Sequence, residues 1–145
     1  MRISESTKVL HIINSLSGGG AEAMLVKVLK ESKSDISLNH LVLTIKDGGR
    51  LIEEVESLNI QLYSISHKNI FSIFGGFFKL LKFIYKEKPN KVIGWMYHGS
   101  FLATIIYLFS KNLSLFWNIR HSIYDLSHEK LSTRFIIFLL SLLTY

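Results

Sequence analysis

The strongest constraint in this sequence is its rhythm, a short β-rich apolar run followed by a longer segment of helical spacing, repeated five times along 145 residues. Residues 8–13 (KVLHII) read as a strand. A glycine-rich loop at 14–20 then leads into Ala21, Leu25, Val28 and Leu29, spaced as on one face of a helix. Residues 38–45 read as a second strand, Asp47-Gly48-Gly49 as a turn, 51–58 as a short helix and 60–65 as a third strand. The longest helix is predicted over 70–86 and is ended by the sole proline, Pro89. A strand at 91–94, a helix at 100–109, a strand at 113–118 and a helix from Leu126 onward complete the pattern.

Alternation of this kind builds a parallel sheet with helices on both faces, and right-handed crossovers wind it in two directions from the middle. The expected fold is therefore α/β, a Rossmann-like doubly wound parallel sheet. No internal repeat, low-complexity tract or linker interrupts it, so one domain accounts for residues 1–145. On a helical wheel the long helix gathers Ser72, Gly75, Gly76, Lys79, Lys82 and Lys86 into a polar sector that Phe83 interrupts.

With 48% hydrophobic and 19% charged residues the chain can bury a core, and disorder is excluded. There is no cysteine, which removes a disulfide scaffold, a thiol nucleophile and a thiolate zinc site together, and suits a reducing cytoplasm. The net charge of +6 favours polyanions such as phosphate groups or an acidic membrane surface. The lysines are scattered rather than run together and no nucleic-acid module is present, so nucleic acid is not an expected partner. No signal peptide is visible, and no segment reaches the roughly 20 apolar residues that span a bilayer.

In such sheets ligands bind beyond the carboxyl ends of the strands. After the first strand comes NSLSGGGAE. Three consecutive glycines (Gly18, Gly19, Gly20) let backbone N–H groups turn outward ahead of a helix, a seat suited to phosphate. After the fourth strand comes Trp95-Met96-Tyr97-His98-Gly99-Ser100, in which Tyr97 and His98 suit a sugar or lipid-linked acceptor, while Met96 reads as a packing residue. After the fifth strand Arg120 and His121 stand together, a guanidinium able to meet phosphate and an imidazole able to bond a substrate hydroxyl. His11, His40 and His67 lie within or beside strands and read as structural. His121 and His128 have no clear third ligand, so no metal site is expected. Ser122, His121 and Asp125 are too close in sequence to be taken as a triad without geometry.

Taken in order, KVLHIINSLSGGGAE, KPNKVIGWMYHGSFLA and LFWNIRHSIYDLSHEKLSTR resemble the N-terminal domain of family 4 glycosyltransferases, the retaining enzymes of the GT-B fold, over essentially the whole chain. The resemblance implies an acceptor-side Rossmann-like domain, half of a cleft whose other half is a C-terminal domain that grips a nucleotide-sugar. It implies that Gly18, Gly19 and Gly20 approach the donor diphosphate, with Arg120, next to His121, as a further diphosphate contact. It implies that His121 lies near the transferred sugar as the catalytic residue, while Tyr97 and His98 are the acceptor-binding candidates that the residues themselves suggest. The implied donor-holding E-x7-E pair occurs nowhere in this chain, and Tyr145 stops within an apolar helical pattern, so a longer parent with a separate C-terminal domain is expected. That parent would be a hexosyltransferase-like enzyme of surface polysaccharide or glycolipid synthesis. It would need neither a metal nor a cofactor beyond its nucleotide-sugar substrate, and the isolated chain would be inactive. The lysines of the long helix would suit anionic headgroups, which makes the inner face of the cell membrane a further expected partner.

Two other readings compete. Gly18, Gly20 and Ala23 satisfy the dinucleotide fingerprint G-x-G-x-x-A, as in an oxidoreductase. Here, however, Asn14 to Ser17 separate the strand from the first glycine, and Lys46 precedes Asp47 where an acidic residue should end the second strand. A non-catalytic fragment retaining only acceptor affinity is the other.

Overall fold

The computed structural model describes residues 6–65, 70–110, 112–119 and 130–143, the side chains of 70–77 excepted. Along the chain run β1 (Thr7–Ile13), α1 (Gly20–Glu31), β2 (Leu38–Thr44), α2 (Ile52–Glu56), β3 (Gln61–Ser64), α3 (Ile70–Glu87), β4 (Lys91–Trp95), α4 (Met96–Leu108), β5 (Ser114–Asn118) and α5 (Leu131–Leu142). The strands form one parallel sheet in the order β3-β2-β1-β4-β5. The chain thus winds outward one way as far as β3, crosses back over β1, and continues the other way. This is the doubly wound, Rossmann-like arrangement, with its reversal between β1 and β4.

Strand parity explains the two-sided core. Leu10 and Ile12 of β1 face one layer, built with Leu41, Leu43, Val92, and Leu80, Ile84, Ala103 and Ile106 of α3 and α4. Ile13 and Val42 face the other, built with Leu25, Val26 and Leu29 of α1 and Val55 of α2. Each fully buried Leu or Ile side chain contributes roughly 1.5–3 kcal/mol relative to exposure, so these two layers dominate the stability of the fold. Lys8 and Glu87 form an ion pair at 3.2 Å that ties the end of α3 to β1. Phe83, the aromatic within the lysine sector, is half-buried against the core, its ring 4.2 Å from that of Tyr63.

Several boundaries differ from the expectation. α4 begins at Met96, directly on the end of β4, rather than at Ser100. The chain turns there because Met96 adopts a φ of 59°, a conformation that a sequence signals only when glycine or asparagine holds it. Two glycines then let the new helix lie against the sheet. A Cβ on Gly94 would meet the Ser100 Cα at 2.3 Å, and one on Gly99 would meet the Ile12 carbonyl oxygen at 2.3 Å. α2 is shorter than expected and is followed by Asn59 in the left-handed region; Lys88 takes the same conformation after α3, just before Pro89. α5 starts at Leu131 behind Lys130, and Leu126, where a last helix was expected to begin, lies outside the described residues. Among the described residues, no helix is long and apolar enough to cross a membrane.

Candidate functional site

The exits of β1 and β4 diverge at the reversal of strand order, and the space between them is a cleft of about 690 Å³. Its wall is contributed by Ile13 and Asn14 from the end of β1, and by Gly20, Ala21 and Glu22 from the first turn of α1. The opposite wall is Trp95, Met96, Tyr97 and His98, with Thr133 of α5 closing one side. A more apolar hollow of about 520 Å³ lies at the other end of the sheet, beside Pro89, Asn90 and Leu113, where the strands begin. The first cleft is the candidate site, because outward-pointing groups of a parallel sheet and the amino ends of its helices converge at the carboxyl edge.

Of the residues singled out in the sequence, Gly20, Tyr97 and His98 are brought together in this cleft. Tyr97 and His98 sit in the first turn of a helix rather than on a loop, so their spacing is set by α4. Met96, expected as packing, instead lines the cleft. Arg120 and His121 lie outside the described residues, as do His67 and His128.

The glycine loop is built differently at each position. Gly18 has a φ of 102° and its carbonyl accepts a bond from Arg50 Nη2 at 2.9 Å. A Cβ there would fall 2.0 Å from Arg50 Nε. Gly19 caps α1, and a Cβ on it would meet a Glu22 carboxylate oxygen at 2.5 Å. Gly20 has nothing within 4 Å of its Cβ position and opens onto the cleft. Packing within the chain therefore demands Gly18 and disfavours a side chain at Gly19, while Gly20 alone leaves room for a ligand. The loop is held from β2: Ile45 and Lys46 N–H groups bond the Ile13 and Asn14 carbonyls at 3.0 and 2.8 Å, and Leu51 N–H bonds the Leu16 carbonyl at 3.0 Å.

Behind the cleft a buried polar chain runs across the sheet. Trp95 Nε1 donates to His11 Nδ1 at 3.2 Å, and His11 Nε2 lies 2.9 Å from His40 Nδ1. An indole N–H can only donate, so His11 Nδ1 accepts, its proton is on Nε2, and His40 in turn carries its proton on Nε2. Among the described residues that last atom, His40 Nε2, is a buried side-chain polar atom with no hydrogen-bond partner. Burial, with the neighbouring His40 second, lowers the His11 pKa to about 3, so the ring is neutral. On the cleft side, His98 is also held below the usual histidine range, first by burial, then by the ammoniums of Lys46 and Lys130.

Sequence reasoning had not singled out Asn14, Glu22 or Thr133 at the cleft, nor Lys46 and Lys130 as charges acting on His98. Glu22 carried a signal, an acidic residue in the first turn of a helix. Lys46 follows β2, which pairs with β1, and Lys130 stands at the start of α5. Asp47 accepts a hydrogen bond from the Ser64 hydroxyl on β3. No group of three or more His, Cys, Asp or Glu side chains among the described residues could hold a metal ion.

A crystal structure of a glycosyltransferase from Rickettsia africae ESF-5 is similar to this chain, with a TM-score of 0.59 and 16% sequence identity over 85% of this chain and 32% of that one. At that identity the likeness shows a shared glycosyltransferase-like fold. The chain spans about a third of that protein's length. No family profile matches the sequence, and no curated protein does.

Proposed function

We propose that this chain is the acceptor-side, N-terminal Rossmann-like half of a retaining GT-B glycosyltransferase of family 4, joined in its parent protein to a donor-binding C-terminal domain. The observation that carries the reading is the cleft at the reversal of strand order, lined by Tyr97 and His98 and opening beside Gly20, in a fold shared with a glycosyltransferase. A phenol and a neutral imidazole fixed on one helical turn can bond sugar hydroxyls as donor and acceptor, which is what acceptor binding requires.

In the parent, the bond between the sugar's anomeric carbon and the diphosphate oxygen breaks and a bond to the acceptor oxygen forms. The acceptor's proton leaves with the nucleoside diphosphate. Gly20 is placed to let a diphosphate approach α1, and Gly18 and Gly19 keep the loop in the shape that exposes it. Arg120 and His121 are assigned diphosphate contact and catalysis on the motif alone. The donor is a nucleotide-sugar, the acceptor a glycan or lipid-linked sugar, and the setting surface polysaccharide or glycolipid synthesis in the cytoplasm.

Peripheral attachment to the inner membrane face is part of the proposal. Phe78 and Tyr85 on α3 are 68% and 80% exposed, beside the exposed Lys79, Lys82 and Lys86. Aromatic rings next to ammoniums on one helix suit an anionic lipid surface.

The decisive test is transfer by the longer parent from radiolabelled nucleotide-sugars to membrane lipid or glycan extracts, with and without residues 1–145. Sugar incorporation that needs this segment is expected. Donor consumption unaffected by its deletion would refute the reading, and retention of a nicotinamide or flavin by the purified chain would replace it with a dinucleotide enzyme.

A further inference from the structure

α5 has two faces that could be buried, and the fold uses one. At about 100° per residue, Thr133 and Leu140 share one side of the helix, and both are buried. Leu131, Phe135, Phe138 and Leu142 fall on the opposite side, within about 60° of one another. They are 80%, 61%, 57% and 60% exposed. Steps of four, three and four residues are the spacing of a helix–helix seam. Ser132 and the half-buried Leu139 flank the stripe on one side, Arg134 and Ser141 on the other. A lipid surface suits a broad apolar face bordered by several cations. This stripe is narrow, and Arg134 is the only charged residue of α5, whereas α3 carries Lys79, Lys82 and Lys86. The order Leu-Phe-Phe-Leu and its spacing both read the same in either direction. An antiparallel second copy about a two-fold axis therefore sets Leu131 against Leu142 and Phe135 against Phe138, a self-complementary contact. In that register Arg134 stands beside Ser141 of the other copy, so like charges do not meet. At roughly 200 Å² for each whole side chain, two such stripes bury about 1,000 Å² together, enough for a reversible dimer and less than a permanent one needs.

We infer that this chain forms a reversible homodimer in which α5 packs antiparallel on α5 of a second copy, through Leu131, Phe135, Phe138 and Leu142. The dimer does not depend on the glycosyltransferase reading. It is compatible with it, because Thr133, which lines the cleft, lies on the far side of α5 from the seam, so pairing leaves both clefts open.

Sedimentation equilibrium of the 145-residue chain, from about 1 μM to about 1 mM, tests the dimer without requiring activity. A monomer–dimer equilibrium is expected. The double variant Phe135→Ser, Phe138→Ser should weaken it by at least about tenfold while keeping the wild-type circular dichroism, since it removes the two central aromatic anchors. The chain has no cysteine, so the orientation can be read separately, whatever the fate of that variant. Arg134→Cys chains mixed with Ser141→Cys chains and treated with a short bis-maleimide should give mostly mixed cross-linked dimers, and either variant alone far fewer. The inference is overturned if the wild-type chain is monomeric throughout, or if the folded double variant associates as strongly as wild type. It is also overturned if Arg134→Cys links best to itself, or if assembly runs on past the dimer, as when a face meets a different surface. A monomeric chain that binds lipid vesicles only with Phe135 and Phe138 intact would give the stripe to a membrane instead.

Discussion

The indole N–H of Trp95 donates to His11 Nδ1 at 3.2 Å, joining the last residue of β4 to the centre of the neighbouring strand β1. That bond requires a neutral His11 with its proton on the far nitrogen, and it holds the side chain of a residue whose backbone leads directly into the cleft. The register supports it: Val9 pairs with His40 and His11 with Val42, so the two imidazoles lie diagonally on one face and stack with centroids 5.2 Å apart.

This arrangement makes stability depend on pH with a definite sign. The folded pKa of His11, about 3, lies below its ordinary 6.5, so the unfolded chain takes up the proton first as pH falls. The stabilisation is complete above 6.5 and declines from there toward 3, and the lowered His40 and His98 act in the same direction. The slope from one such group is at most about 1.4 kcal/mol per pH unit. Urea unfolding midpoints should be lower at pH 5 than at pH 7, and His11→Gln should flatten the difference. His11→Phe should cost roughly 1–3 kcal/mol by leaving the Trp95 N–H buried without an acceptor. Equal midpoints at both pH values would contradict the assigned protonation.

The glycines should divide sharply by position. Gly94→Ala and Gly99→Ala push a Cβ into backbone atoms at 2.3 Å, and each should destabilise the fold by about 1–3 kcal/mol or more. Gly20→Ala meets nothing, lies in the first turn of a helix, and should be neutral or stabilising by up to about 1 kcal/mol. In the parent, Gly20→Val should nonetheless raise the KM for donor, since it narrows the approach to α1. Thermal melts of all three alanine variants, with donor kinetics for the valine one, read both effects.

Membrane attachment predicts a salt-sensitive, aromatic-dependent interaction. The wild-type chain should sediment with vesicles containing phosphatidylglycerol and not with phosphatidylcholine alone, each surface lysine adding about 1 kcal/mol at low salt. The double variant Phe78→Ser, Tyr85→Ser should lose most of this binding while remaining folded, because both rings are largely exposed. Equal sedimentation of the variant would remove α3 from the proposal.

His121→Ala in the parent should lower kcat by about a hundredfold, the scale of removing one transition-state hydrogen bond, with donor KM little changed. Full activity at saturating donor and acceptor would withdraw the residue from the mechanism.

Much of the fold was legible because burial on both faces of a parallel sheet leaves β-rich runs, and helices that cover it leave apolar spacing. The start of α4 was not legible: nothing in Trp95-Met96 marks a reversal, since methionine is an unexpected residue for a left-handed φ. Sequence reasoning placed the rim residues Tyr97 and His98 at the end of the right strand, but as a loop. The action of Lys46 and Lys130 on His98 went unnoticed because the three residues are far apart in sequence. The buried bond from Trp95 to His11 spans 84 residues and has no local signature.

The close seating of α4 on the sheet carries a consequence for how such a site can diverge. Gly94, Gly99 and the Ser100 hydroxyl, bonded to the Gly94 carbonyl at 3.1 Å, meet the demands of the scaffold. Met96, Tyr97 and His98, between those two glycines, line the cleft. Close backbone packing and cleft lining thus alternate in short stretches of one seven-residue segment. A change of side chain at His98 would reshape the cleft while the close backbone approach at Gly94 and Gly99 stays in place, so the cleft can vary on one backbone.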